Sequence, residues 1–437
     1  MSQGTLDRRP VTASAVRGVF AGSPGRMRVA GLVAVAGCLL FALLGASAYQ
    51  ARGDALAEAN ADAAQLIQVQ QIAIDVVRAD SLLTSAFPSP GQETAAQVAD
   101  FDRALDSAAK LVADAAAAQP ADVGALRQVG EALGRYRQYA TSARTFNRQG
   151  DQVGFGYLRQ AGAALRGADR DNNPNLLPEG TTGLLPALDD LILANRHRVD
   201  DAYSASGWAT VRLVGADVVA LGALLGVQVW LARRTRRYVN LPLASAAVAV
   251  LAVAVVGGVI MVGAQSRADG VRSSSYAAFT SLADARIAVN AAKSDAAISF
   301  LYLRTGGSSA TFRADFDART RAVDAALTRA RDAASGDVRT SFHAWKDEAT
   351  GLFGKTDAAW VASAHDLADP TKKINTDFAA LDHALDQGIT DQVGQVDRRL
   401  GEGNLPLLVI GWLALLVGIL AAVLAWGGIA QRLEDYR

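Results

Sequence analysis

Long apolar runs alternate along this chain with longer segments whose polarity varies at helical spacing. Four runs, at residues 29–49, 211–232, 241–264 and 406–430, reach the roughly 20 apolar residues that a helix needs to cross a hydrocarbon layer. Pro242 and Pro406 stand at the starts of the third and fourth runs, where a helix loses little by a missing N–H. Tyr49, Trp208, Trp230, Tyr238 and Trp426 mark run ends, as amphipathic rings do at membrane interfaces. Between the runs, residues 50–207 and 265–405 read as helices broken by turn formers. Spans one and three are expected to continue as long helices to Pro88-Ser89-Pro90-Gly91 and to Gly306-Gly307-Ser308. Further breaks are expected at Pro120, Gly150, residues 169–186, Ser335-Gly336 and Asp369-Pro370. Ahead of the fourth span, Phe378, Leu381, Leu385, Ile389, Val393, Val396 and Leu400 recur every three or four residues, an apolar helix face. Leu184, Leu188, Ile192 and Val199 repeat the pattern ahead of the second. Strand alternation is absent over any useful length, so the expected fold is all-α: a four-span membrane protein with two antiparallel helical bundles outside the bilayer, each on its own pair of spans.

Charge orients this arrangement. Arg8, Arg9, Arg17, Arg26 and Arg28 crowd the N-terminal stretch against Asp7 alone. Arg233, Arg234, Arg236 and Arg237 fill the connector between spans two and three, and the tail carries Arg432 and Arg437. Short arginine-rich segments stay in the cytoplasm. Residues 1–28, 233–240 and 431–437 are therefore expected inside the cell and 50–207 and 265–405 outside it, in the plasma membrane. The connector arginines serve as lipid anchors and topology signals, or as a docking surface for a cytoplasmic protein.

The second half lies on the first at an offset of 215 residues. Gln50-Ala51-Arg52-Gly53-Asp54 falls on Gln265-Ser266-Arg267-Ala268-Asp269, and Asp100-Phe101-Asp102 falls on Asp315-Phe316-Asp317. Asp75, Arg78 and Asp80 fall on Asn290, Lys293 and Asp295. The closing spans match at an offset of 196, with Gly215, Gly222, Gly226 and Trp230 on Gly411, Gly418, Ala422 and Trp426. The change of offset puts an insertion in the first external segment, around residues 169–186. The chain thus reads as a tandem repeat, an intrachain pseudo-dimer in which an external partner would find one preferred side.

Composition narrows the chemistry. The 43 basic and 43 acidic residues balance, which excludes a generally basic nucleic-acid binder. A single cysteine, Cys38, excludes an intrachain disulfide and any multi-cysteine metal site. Val35-Ala36-Gly37-Cys38 has the form of a lipobox, but residues 39–48 stay apolar, as in an uncleaved helix. His197, His343, His365 and His383 are scattered, and no HExxH pair, phosphate loop, nucleophile elbow or dinucleotide fingerprint occurs, so neither an enzyme nor a cofactor is expected. Asp169, Asp171, Asn173 and Asn175 alternate like the start of a calcium loop, yet Pro174 and Gly180 occupy positions such a loop reserves for glycine and glutamate, so no metal is expected. Asp217 is the one ionisable side chain well inside a span, either a hydrogen-bonding group, a proton-responsive one, or one that reaches the outer interface. Gly222 and Gly226, with Gly418 and Ala422, suit close helix contact. Asp75, Arg78, Asp80, Asn290, Lys293 and Asp295 either contact a ligand or partner, or form a repeated set of surface ion pairs.

A helical bundle carried between two spans resembles the sensor half of bacterial chemoreceptors and related kinases. Four spans, two external helical regions and cytoplasmic pieces too short for a signalling module resemble the GlnX-type membrane transducers of actinobacteria. That resemblance implies a link between an extracytoplasmic glutamine- or aspartate-binding lipoprotein and a cytoplasmic Ser/Thr kinase of the PknG type. The function expected is a non-enzymatic signal transducer, with membrane lipid, a solute-binding protein or small ligand, and a cytoplasmic effector as partners. A scaffold for an envelope or secretion complex is the alternative, separated from the first by whether ligand state alters the cytoplasmic contacts.

Overall fold

The computed structural model describes residues 23–88, 93–149, 153–167, 176, 178, 181–235, 240–304, 310–353, 357–401 and 405–434. Among them every regular element is helical, and no strand occurs. The first helix, α1 (Ser23–Ala86), is followed by α2 (Ala95–Ala118), α3 (Val123–Arg148), α4 (Val153–Arg166) and α5 (Leu184–Thr235). The second half contributes α6 (Leu241–Gly270), α7 (Ala277–Arg304), α8 (Ala310–Ala330), α9 (Gly336–Phe353), α10 (Asp357–Ala368), α11 (Lys373–Gly401) and α12 (Leu405–Glu434). The helix ends fall where turn chemistry dictates. Thr94 and Gln97 close a reciprocal capping box on α2, and Pro120 opens a short 3₁₀ turn ahead of α3. Six residues of π-helix, Val271–Tyr276, join α6 to α7, a local widening that periodicity did not foretell.

Two compact units emerge. One comprises residues 1–59, 201–268 and 401–437, the other 60–200 and 269–400. Within the first unit lie segments of α1, α5, α6 and α12, four helices long and apolar enough to cross a membrane. Its core is built from Ala34, Cys38, Phe41, Leu224, Leu243, Val250, Ile410 and Ala414. The outward faces are apolar too, with Leu43, Val218, Val259 and Leu416 all more than 60% exposed, a surface that suits lipid rather than water. Asn240, buried, donates to the carbonyl of Gly428 at 2.9 Å and so ties the start of α6 to α12.

Glycine contacts in this unit correct the sequence reading. A Cβ on Gly418 would stand 2.6 Å from that of Ala42 and 2.9 Å from the Ala42 Cα, so α12 and α1 approach closely there. Gly222 and Gly226 have open space instead. The buried face of α5 runs through Ala216, Ala220, Leu224 and Val227, and Gly37 of α1 meets Ala220 and Ala223. At 100° per residue, Gly222 lies on the opposite side from Ala220.

The second unit holds two cores that exchange residues. One gathers Leu66, Leu83, Phe101, Leu126, Tyr136, Leu158 and Leu188, together with Leu301 from α7. The other gathers Phe279, Leu282, Phe316, Phe342, Trp345, Phe378, Leu381 and Leu385, together with Ile74 from α1. The apolar stripes anticipated ahead of the second and fourth spans supply both: Leu184, Leu188, Ile192 and Val199 are buried, as are Phe378, Leu381, Leu385, Ile389 and Val396. Polar contacts join the halves as well. Ser294 donates to Asp80 at 2.8 Å, Gln97 to the carbonyl of Ala368 at 3.2 Å, and Arg196 pairs with Asp284 at 3.5 Å. At the far end of the first core, Asp122 accepts from Arg198 at 2.5 Å, Asn195 at 3.2 Å and Gln65 at 3.4 Å, fixing the 3₁₀ turn to α1 and α5.

Candidate ligand cleft

Within this second unit, one helical stripe from each of three helices lines a cleft of about 420 Å³. Arg78, Ser81 and Ser85 come from α1, Arg286, Asn290 and Lys293 from α7, and Asn375, Phe378, Asp382 and Asp386 from α11. Spacings of three, four and seven residues place each set on one helix face, one turn above another. Gln97 and Asp100 of α2 add to the rim.

Its charges are arranged unevenly. Arg286 is buried and grips Asp382 with two nitrogens, Nε at 2.8 Å and Nη2 at 3.0 Å, while Nη1 reaches Asp386. Burial alone would lower the affinity of that guanidinium for its proton, but the two aspartates reverse the effect and raise it. Burial likewise pushes Asp382 upward, and the bonds from Arg286, with help from Arg78 and Asn290, outweigh it and hold the carboxyl below its ordinary value. Lys293 has no such partner. Its Nζ sits 4.0 Å above the ring of Phe378, a cation–π contact, with no carboxylate in ion-pair distance among the described residues. Desolvation, abetted by the charge of Arg78 and opposed by Asp382, pushes its ammonium down to about 8. Arg78 is half-exposed and only grazes Asp382, at 4.0 Å. Asn290, buried, donates to the Arg286 carbonyl at 3.0 Å and to Asp382 at 3.3 Å. Its own Oδ1, buried, accepts no hydrogen bond.

Three of the six candidate residues on the membrane-proximal helices thus meet here, Arg78, Asn290 and Lys293. The other three turn into packing. Asp80 accepts from Tyr136 at 3.3 Å and from Ser294, Asp295 pairs with Arg319 at 2.6 Å, and Asp75 accepts from Gln71 at 3.1 Å, its carboxyl raised by burial against the opposing pull of these bonds and of Arg286 and Arg78. The alternative of repeated surface ion pairs does not hold for them, because Asp75, Asp80, Asn290 and Asp295 are all buried. Sequence reading missed Arg286, Asp382 and Asp386. A basic residue four positions before Asn290, and two aspartates one turn apart beside an apolar stripe, were the available signals.

A second cavity of about 570 Å³, lined by Asp189, Arg196, Asp284 and Arg319 with aliphatic neighbours, offers less. Its basic groups are already engaged, Arg196 by Asp284 and Arg319 by Asp295. No group of three or more metal-ligating side chains occurs among the described residues. In the membrane unit, Asp217 is half-buried with its Oδ1 unbonded among the described residues, and its charge acts on Tyr49, whose hydroxyl is also unbonded and presses on Gly257. Arg233 is exposed at the end of α5, Arg234 lies in its last turn, and Arg236 and Arg237 fall outside the described residues. So do the N-terminal arginines up to Arg17 and the calcium-like stretch from Asp169 to Asn175.

Residues 55–204 match the family model of the actinobacterial sensor domain, about a third of the chain and nearly all of the segment 50–207 between the first two apolar runs. That similarity points to a sensing role. No curated protein and no solved structure matches the chain.

Proposed function

We propose that the chain is a non-enzymatic transmembrane signal transducer of the plasma membrane, with both termini cytoplasmic and the two halves acting as an intrachain pseudo-dimer. It relays the state of an extracytoplasmic solute-binding protein or small ligand to a cytoplasmic effector such as a Ser/Thr kinase. The observation that carries this reading is the cleft: its two least closely paired cations, Arg78 and Lys293, stand on the helices whose other ends are membrane-spanning in composition. From Ser23 to Ala86 the first is a single helix, and the second continues helically from Leu241 to Arg304. A change in cleft packing therefore loads two continuous helical rods. Support for the pseudo-dimer comes from positions 215 apart that share surroundings, Ile74 with Val289 in one core and Arg78 with Lys293 in one cleft.

Lys293→Glu tests the relay, because a carboxylate beside Arg78 imitates an anion in the cleft. Spin labels at Arg28 and Arg233, both exposed, report on the basic ends of α1 and α5 in a Cys38→Ser background in nanodiscs. A transducer gives different interlabel distance distributions for Lys293→Glu and for Lys293→Met. Identical distributions in two folded variants would leave a scaffold.

A further inference from the structure

We infer that the cleft binds one small monoanionic carboxylate per chain, bearing an N–H or O–H donor beside the carboxylate, as amino and hydroxy acids do. The inference rests on the cleft being the sensory site and adds what it takes.

Three features of the cleft select this chemistry. First, Lys293 has no carboxylate in ion-pair distance among the described residues and Arg78 has only a long contact with Asp382 at 4.0 Å, since Asp382 and Asp386 are held closely by Arg286. A carboxylate between them would restore the charge interactions that Lys293 has lost to desolvation. Second, Asn290 lines the cleft and its buried Oδ1 lacks a donor among the described residues, while two bonds from Nδ2 orient the amide, which leaves an open acceptor for a ligand that displaces its cover. A buried acceptor left open is destabilising, and a ligand N–H or O–H that reaches it removes that cost. Third, the lining holds Arg78, Arg286 and Lys293 against Asp100, Asp382 and Asp386. That balance repels a polyanion such as phosphate while accepting a single carboxylate, and an ammonium if one is attached.

One site per chain follows from how the halves differ. At the 215-residue offset, Arg286 and Asn290 fall on Gln71 and Asp75. Neither can rebuild the Arg286–Asp382–Asn290 cluster on the other side. Asymmetry thus resides in the cleft side chains, independently of the insertion around residues 169–186.

The groups facing Lys293 are Arg78 from α1, Asp382 and His383 from α11 and Arg286 from its own helix, with Asp100 of α2 and Asp386 at the rim. Carboxylate affinity should accordingly fall as pH rises above about 8, where the unliganded Lys293 gives up its proton.

Binding to the full chain in nanodiscs tests this by calorimetric titration with single probes: each protein amino acid, L-lactate, acetate, methylammonium and inorganic phosphate. Expected are a stoichiometry of one for at least one amino or hydroxy acid, at least tenfold weaker binding of acetate and of methylammonium, and at least tenfold loss in Lys293→Met and in Asn290→Leu. Loss of wild-type affinity between pH 7 and 9 reads the same lysine without any variant. Binding by no probe, phosphate tighter than every carboxylate, or affinity unchanged in folded Lys293→Met would each overturn the assignment. Binding without a change in the spin-label distances sinks the transducer and keeps the ligand class; the reverse pattern does the opposite.

Discussion

At the scale of single residues, Lys293 is the position where a desolvated charge costs stability. Its folded value of about 8 lies below the ordinary 10.5, so between those values the unfolded chain holds the proton more tightly. Stability of the native protein therefore rises with pH through that window. Lys293→Met removes the desolvated charge and should stabilise the ligand-free protein by about 1–2 kcal/mol at neutral pH. The advantage should be complete below pH 8 and vanish above about 10.5, which thermal melts across that range would check. Glycines give a second contrast. Gly418→Ala forces a Cβ against the backbone of Ala42 and should cost about 1–3 kcal/mol, whereas Gly222→Ala, in open space, should melt like the parent in detergent. Sequence matched Gly222 to Gly418 because glycine spacing is the same in both spans. Which face each helix turns to its neighbours is a tertiary choice, and composition alone does not encode it.

Among the elements, breaks and apolar stripes were legible and the partners of buried charges were not. Pro88, Pro120 and Asp369-Pro370 stop helices locally, through missing donors and turn preferences, so a sequence window suffices, while Gly150 lies outside the described residues. The stripe from Phe378 to Val396 was visible for the same reason. Arg286 and its partner Asp382 lie 96 residues apart, and only packing of α7 on α11 makes them one group. The π-helical turn at Val271–Tyr276 escaped because a single extra residue hardly disturbs periodicity. Asp122 shows what a buried carboxylate holds together at element scale. Its three donors, Gln65, Asn195 and Arg198, belong to α1 and α5. Asp122→Ala removes the shared acceptor of these three donors and leaves Arg198 with Asn195 and a longer contact to Asp62 at 3.7 Å; it should cost about 1–3 kcal/mol, read as a lower midpoint in chemical unfolding.

For the whole molecule, the four apolar helices and their arginines make topology the first matter to test. Reporter fusions after residues 120, 235 and 340 should read outside, inside and outside; a cytoplasmic signal at either outer position sinks the orientation. The two segments, expected as two bundles of a pseudo-dimer, contribute residues 60–200 and 269–400 to one compact unit, in which Ile74 and Leu301 each pack in the other half's core. Such a merger has a consequence for dose and dilution. Sensors assembled from two chains lose their interface as the protein becomes scarce, and their paired sites permit cooperative or half-saturated responses. On the proposed pseudo-dimer reading the partner is covalently attached, at an effective concentration that expression level does not alter. With one cleft in a chain acting alone, occupancy follows a hyperbola with a Hill coefficient of one, needing about an 81-fold rise in ligand to pass from a tenth to nine-tenths response. If the proposed transducer works this way, the fused pair gives up the sharp threshold and gains a graded gauge whose calibration is the same in a cell with few copies as in a cell with many.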